Sequence, residues 1–198
     1  MSHNSASEQG PFDANKAIAA IALLVQETGA SMYSVMKMLY LADKAHLEQH
    51  GRFITGDSYV AMKQGPVPSC AYNMIKHARG EEKRREGDEV ALQFLSCDAT
   101  THVITIKRMP ALDELSESDV ECLKAVSEAY HRLGKWAVKD MSHDDAWKKA
   151  WKPDSAFAAF RSRRTVPMPI EAIAAEVDES GALLAHLRDQ HPGSAESR

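Results

Sequence analysis

The sequence predicts a mainly α (α+β) fold: a compact helical domain with one β-hairpin and a C-terminal helical extension. Three observations lead there. Apolar residues recur at helical spacing through three long segments bounded by capping residues. Only one pair of neighbouring runs, 90–95 and 102–107, carries the β-branched and aromatic enrichment of strands. No strands alternate with helices as a parallel sheet requires. The composition is that of an ordinary globular chain, with 198 residues, 44% hydrophobic and 26% charged. A chain of this length buries roughly 70% of its unfolded surface and needs neither disulfides nor a metal to hold a core.

Asp13 is placed to cap and Gly29 to stop a helix over 13–28, in which Ile18, Ile21, Ala22 and Val25 share a face. Ser31 can cap a second helix that ends at Gly51. Its stripe of Met32, Val35, Met36, Leu39, Asp43 and Leu47 leaves Lys37, Lys44 and Glu48 on the other face. From 52 to 68 the periodicity stops. The turn residues Thr55-Gly56-Asp57 and Gly65-Pro66-Val67-Pro68 predict a loop with short extended pieces. A short helix over 69–78, closed by Gly80, and a charged, solvated connection over 81–86 lead into the hairpin. Ser116 and Asp119 form a start signal for a helix whose period runs from Val120 to Leu133 and ends at Gly134. Residues 136–151 read as two short helical pieces around Met141-Ser142-His143. Pro167 and Pro169 introduce a last helical stretch over 170–190, broken near Gly181. The resulting division is a polar tail over 1–11, a domain over 12–152, a helical extension over 153–190 and a polar tail over 191–198.

Several classes of function are disfavoured. Lysine plus arginine number 24 against 28 aspartate plus glutamate, a net charge of −4 that speaks against a nucleic-acid binder. Cys70, Cys97 and Cys122 are far apart with no CxxC pair, which argues against a disulfide framework or zinc site and fits a reducing cytoplasm. The polar N-terminus lacks the basic and apolar regions of a signal peptide. The longest apolar run, 17–25, is far short of the roughly 20 residues of a membrane span. No cofactor and no membrane partner is expected.

Two enzymatic or metal-binding readings are open. Asp43, His46 and His50 fall at i, i+3 and i+7 of one helix and could offer oxygen and imidazole ligands to a metal, although HLEQH is not the HExxH motif. Gly56-Asp57-Ser58 and Asp140-Met141-Ser142-His143 copy the nucleophile and partner blocks of GDS-type serine hydrolases. Those enzymes place the nucleophile after a first parallel strand, whereas here two helices come first. Between Lys148 and Arg164 six basic residues, Lys148, Lys149, Lys152, Arg161, Arg163 and Arg164, face one acid, Asp154. This is a solvated face by default, then a surface for an acidic protein, with nucleic acid last. Trp136, Trp147 and Trp151 suit either core anchors or a partner surface.

Three motifs carry a family resemblance: Lys37-Met38-Leu39-Tyr40-Leu41-Ala42-Asp43; Gly51-Arg52-Phe53-Ile54-Thr55-Gly56-Asp57-Ser58-Tyr59; and Gly65-Pro66-Val67-Pro68. In this order and at these intervals they resemble the Panacea domain, the SocA-like or GepA-like phage-associated antitoxin family. Leu115-Ser116 and the run from Met141-Ser142-His143 to Trp147 continue the match more weakly, and Met38 and Met141 stand where Leu is commoner. The resemblance covers about 12–151, and the segment after Pro153 has no counterpart. It implies an antitoxin that neutralises a cognate protein toxin by direct contact, not an enzyme. Some members of the family are described as adaptors handing the toxin to an AAA+ protease such as ClpXP. The motif residues Lys37, Tyr40, Asp43, Thr55, Gly56, Asp57, Tyr59, Gly65, Pro66, Val67, Pro68, His143 and Trp147 are the partner-binding or signature candidates. Burial on the apolar stripe further predicts that Asp43 braces the loop over 55–57.

Overall fold

Helix α1 (Ala14–Thr28) begins where the Asp13 carboxylate accepts the Lys16 N–H at 3.0 Å and ends at Gly29, whose φ of 61° lets its N–H reach the Val25 carbonyl. The computed structural model describes residues 10–151, 165–177 and 182–188. Every residue from Ala17 to Val25 is buried, so α1 is a central helix enclosed on all sides rather than an amphipathic surface one. Helix α2 (Met32–His50) starts after Ser31, whose side chain makes no capping bond, and stops at Gly51.

Lys37 and Lys44 do not lie on a solvated face of α2: both are buried. The reason is tertiary. Helix α5 (Glu117–Ser142) packs on one side of α2 and strands close the other, so the helix has almost no outer face. Each lysine is then held by an oxygen from another element. Glu48, half-buried, accepts the Leu183 N–H at the start of α8 (Ala182–Arg188).

The segment expected as a loop forms strands β1 (Tyr59–Met62) and β2 (Gly65–Pro68), paired antiparallel from Tyr59 opposite Pro68 to Met62 opposite Gly65. Strand β5 (Val166–Met168) adds to the free side of β1, with Tyr59 opposite Met168, giving the order β2-β1-β5. Pro66 and Pro68 read as turn formers, yet they occupy alternate positions of an edge strand. Their missing N–H groups therefore all fall on the edge facing away from β1, where no ladder bond is lost. Pro167, expected to introduce a helix, sits in the centre of β5 opposite Val60.

After α3 (Ser69–Ala78), residues Val90–Phe94 form a short helix, α4, instead of the first half of the predicted hairpin. The hairpin itself is shorter, with β3 (Leu95–Cys97) paired to β4 (Ile104–Ile106) from Leu95 opposite Ile106. A five-residue segment with four apolar residues has no periodicity that separates strand from helix, and here packing against α1 and α3 decides.

Helix α5 opens with the full capping box: Asp119 N–H to Ser116 Oγ and Ser116 N–H to the Asp119 carboxylate. The helical path breaks at Gly134, where the sequence places its end: that residue takes the non-helical values φ 82° and ψ 170°, and a second helical piece follows to Ser142. Helix α6 (Asp145–Ala150) is capped by Asp144. The expected final stretch consists of α7 (Ile170–Ala174) and α8, which packs on α5 with Leu184 and Leu187 buried. The anticipated break at Gly181 and most of the basic stretch, Lys152 and Arg161 to Arg164, lie outside the described residues. No described helix is long and apolar enough to cross a membrane.

Candidate functional site

The motif side chains on α2 face the β1–β2 hairpin and the loop before it. Asp43, 1% exposed, accepts the Ile54 N–H at 2.7 Å and the Tyr59 hydroxyl at 2.7 Å. Burial pushes its carboxyl up to about 7, against the pull of those two donors. The same burial, reinforced by Asp43, raises the Tyr59 hydroxyl well above its ordinary value. Asp43 thus pins the loop at Ile54, one residue before the expected Thr55, and fixes the start of β1.

Asp57 organises the next element. Its carboxylate accepts the N–H groups of Ser58 at 2.7 Å, Cys70 at 2.9 Å and Ala71 at 2.8 Å. Helix α3 follows directly on Pro68, which has no capping side chain, so Asp57 satisfies the helix N-terminus from 13 residues away. Thr55 is buried beside it, and the Asp57 N–H reaches the Thr55 hydroxyl at 3.4 Å. Gly56 is required: at φ 68° a Cβ would stand 2.7 Å from the Pro11 carbonyl oxygen.

At the other end of the hairpin, Lys37, Gly65 and His143 converge. Lys37, 2% exposed, donates from Nζ to the Pro66 carbonyl at 2.7 Å. Burial, with Lys139 nearby, lowers its ammonium to about 7. A Cβ on Gly65 would lie 2.7 Å from His143 Nε2 and 2.8 Å from Lys37 Nζ. His143 stacks on Trp147 with centroids 4.1 Å apart, and Trp147 Nε1 donates to the Met62 carbonyl at 3.0 Å. His143 Nε2 is buried without a hydrogen-bond partner among the described residues. Burial lowers the pKa of this imidazole, the Gln64 backbone opposes that shift, and Lys139 and Lys37 add to it.

Asp144 ties these parts together. It caps α6 through the Trp147 N–H at 3.0 Å and receives the Tyr40 hydroxyl at 2.8 Å and Lys44 Nζ at 2.5 Å. Asp119 plays a similar role elsewhere, with Lys16 at 2.6 Å and His46 at 3.1 Å. In the sequence Asp119 stood out only as half of a helix start signal and Asp144 not at all, because a local capping signal says nothing of the distant side chains that reach a carboxylate.

Beside Lys37 the surface opens into a groove of about 300 Å³ between α2 and the β1–β2 turn. Met32, Met36 and Met62 form apolar walls, and Tyr33 and Tyr72 supply rings. Lys37, Lys63, Arg79 and His102 complete the basic side of the lining. Of the motif residues only Lys37 and Val67 reach this groove. Pro66 and Pro68 are buried in the strand.

The two chemical alternatives do not assemble. Ser58 precedes β1, whereas His143 sits beside Gly65, opposite the far end of that strand. The four residue steps from Ser58 to Met62 span roughly 13 Å at strand rise. The carboxylate of Asp43 points to Ile54 and Tyr59, while His46 lies between the Arg52 carbonyl at 2.9 Å and Ser118 at 3.1 Å. Among the described residues no group of three or more His, Cys, Asp or Glu side chains is arranged to hold a metal ion. Trp147 is a half-buried anchor; Trp136 is 64% exposed, flanked by Lys135 and Lys139.

No curated protein and no solved structure matches the chain. The profile described as antitoxin SocA-like, Panacea domain, matches residues 35–148, more than half of the sequence. The matched span runs from α2 to α6 and contains all three motifs and both residues of the His143–Trp147 stack. On this match the chain belongs to the SocA-like antitoxin family and carries a Panacea domain.

Proposed function

We propose that this protein is the antitoxin of a toxin–antitoxin pair and neutralises its cognate protein toxin by direct binding, in the cytoplasm and without catalysis of its own. The family match over 35–148 carries this reading. The site geometry supports it: Asp43, Asp57, Tyr40 and Trp147 spend their polar groups on internal bonds that stiffen the hairpin and the helices around it. A surface held this way loses little conformational freedom on association. Delivery of the bound toxin to an AAA+ protease such as ClpXP is a second layer that this reading accommodates.

The test is expression of the adjacent reading frame with and without this protein, in protease-positive and protease-deleted cells, beside a binding assay on the purified pair. Neutralisation with a purified complex, independent of the protease, is the expected result for a direct inhibitor. Shortened toxin half-life and loss of protection in the protease-deleted strain identify the adaptor. Absence of association by every route overturns the antitoxin reading.

A further inference from the structure

We propose that the toxin docks in the groove between α2 and the β1–β2 turn, through a segment that presents apolar side chains together with a carboxylate. This rests on the antitoxin reading and names its contact surface and the chemistry of its partner.

The groove has the volume of a small recognition pocket, about 300 Å³. Its walls combine three methionines, which are unbranched and repack around different shapes, with two tyrosine rings, which give contact area at low entropic cost. The lining contains four basic side chains and no aspartate or glutamate. Their present commitments differ. Arg79 already pairs with Glu81 and meets His102. Lys63 is exposed and makes no salt bridge among the described residues. Lys37 is held by the neutral Pro66 carbonyl and, 5.4 Å away, the Tyr33 ring. A partner carboxylate therefore supplies what the acids among the described residues do not: a counter-charge for Lys63 at the rim and for the Lys37 ammonium at the wall. Apolar neighbours of that carboxylate would cover Met62, which is half-buried, over the buried Met32 and Met36.

The backbone that carries the β1–β2 side of the groove is held in place. Tyr33 reaches toward the Gln64 carbonyl, the Trp147 indole holds the Met62 carbonyl, and Gly65 seats against His143. Trp136, exposed on α5 beyond Gly134 between two lysines, does not line this groove.

The experiment uses the full-length protein and the purified product of the adjacent reading frame. Lys63→Glu and Tyr33→Ala are compared with the parent and with Trp136→Ala, and a photo-crosslinking residue replaces Tyr72 in a further variant. Lys63→Glu is expected to raise Kd about tenfold or more and to flatten its salt dependence, with an unchanged melting temperature. The crosslink is expected to land in a toxin segment containing Asp or Glu beside apolar residues. Lys63 is at the surface, so this variant carries the test even where Tyr33→Ala fails to fold. Parent-like affinity in Lys63→Glu, with no crosslink from position 72 in a complex that forms normally, overturns the groove while leaving the antitoxin reading intact. A crosslink joining two copies of this chain also overturns it, in favour of self-association. Failure of the parent to bind the product at all is the different result that removes both.

Discussion

Tyr59 donates its hydroxyl to the Asp43 carboxylate across 2.7 Å, joining residues 16 apart in sequence at a point sealed from solvent. The same carboxylate holds the Ile54 N–H, so one side chain fixes the strand start and the loop before it relative to α2. Asp43→Ala leaves a buried hydroxyl and a buried N–H without an acceptor. The expected loss is about 1 to 3 kcal/mol or more, read as a lower urea midpoint. A parent-like midpoint combined with lost neutralisation would instead place Asp43 at the interface.

Titration of Asp43 gives stability a sign that can be checked. Burial raises its carboxyl from 3.8 to about 7, so through this window the folded chain keeps a proton that the unfolded chain has released. Stability contributed by Asp43 therefore falls as pH rises through the window. Asp119 acts oppositely: burial favours its neutral form, but hydrogen bonds from His46, Lys16 and Ser116 outweigh that and hold it below its ordinary value. Its contribution is present above the unfolded carboxylate value and is lost on acidification below it. Urea midpoints of the parent and of Asp43→Asn across the window isolate the first effect, because the other groups are common to both. The parent should lose stability toward pH 7 relative to Asp43→Asn, and parallel profiles would show that Asp43 ionises normally.

Gly65→Ala tests the convergence at the hairpin end. The added Cβ meets His143 Nε2 at 2.7 Å on a backbone with φ 108°. Overpacking and left-handed strain together should cost about 1 to 3 kcal/mol or more. Thermal unfolding would show it, and an unchanged melting temperature would mean that His143 swings away freely.

Ser58→Ala should leave neutralisation and stability at parent levels, since Ser58 is exposed and remote from His143. Ester hydrolysis that saturates with substrate in the parent and disappears in this variant would overturn the proposal of a non-enzymatic role.

Trp136→Ala should change stability by no more than about 0.5 kcal/mol, as expected for a surface position. Trp147→Phe removes the bond to the Met62 carbonyl and should cost about 1 kcal/mol. Equal urea midpoints for the two variants would contradict the assignment of one tryptophan to the surface and the other to the scaffold.

What the sequence determined by itself is everything whose cause is local. Asp13 and Gly29 bound α1, Gly51 ends α2, and Ser116 with Asp119 opens α5, because capping joins groups within one turn. The three motifs and their order were likewise legible, and with them the family. Tertiary structure decided the rest, because burial and pairing depend on what arrives from elsewhere in the chain. Lys37 and Lys44 read as surface residues until the hairpin and α5 enclosed α2, and Gly65-Pro66-Val67-Pro68 read as a turn until β1 supplied a neighbour. Tyr40 meets Asp144 from 104 residues away, a contact no spacing rule encodes. The groove has the same origin: Met32 and Met36 belong to α2, Met62 and Lys63 to the hairpin and Arg79 to the end of α3, and only their packing makes them one surface.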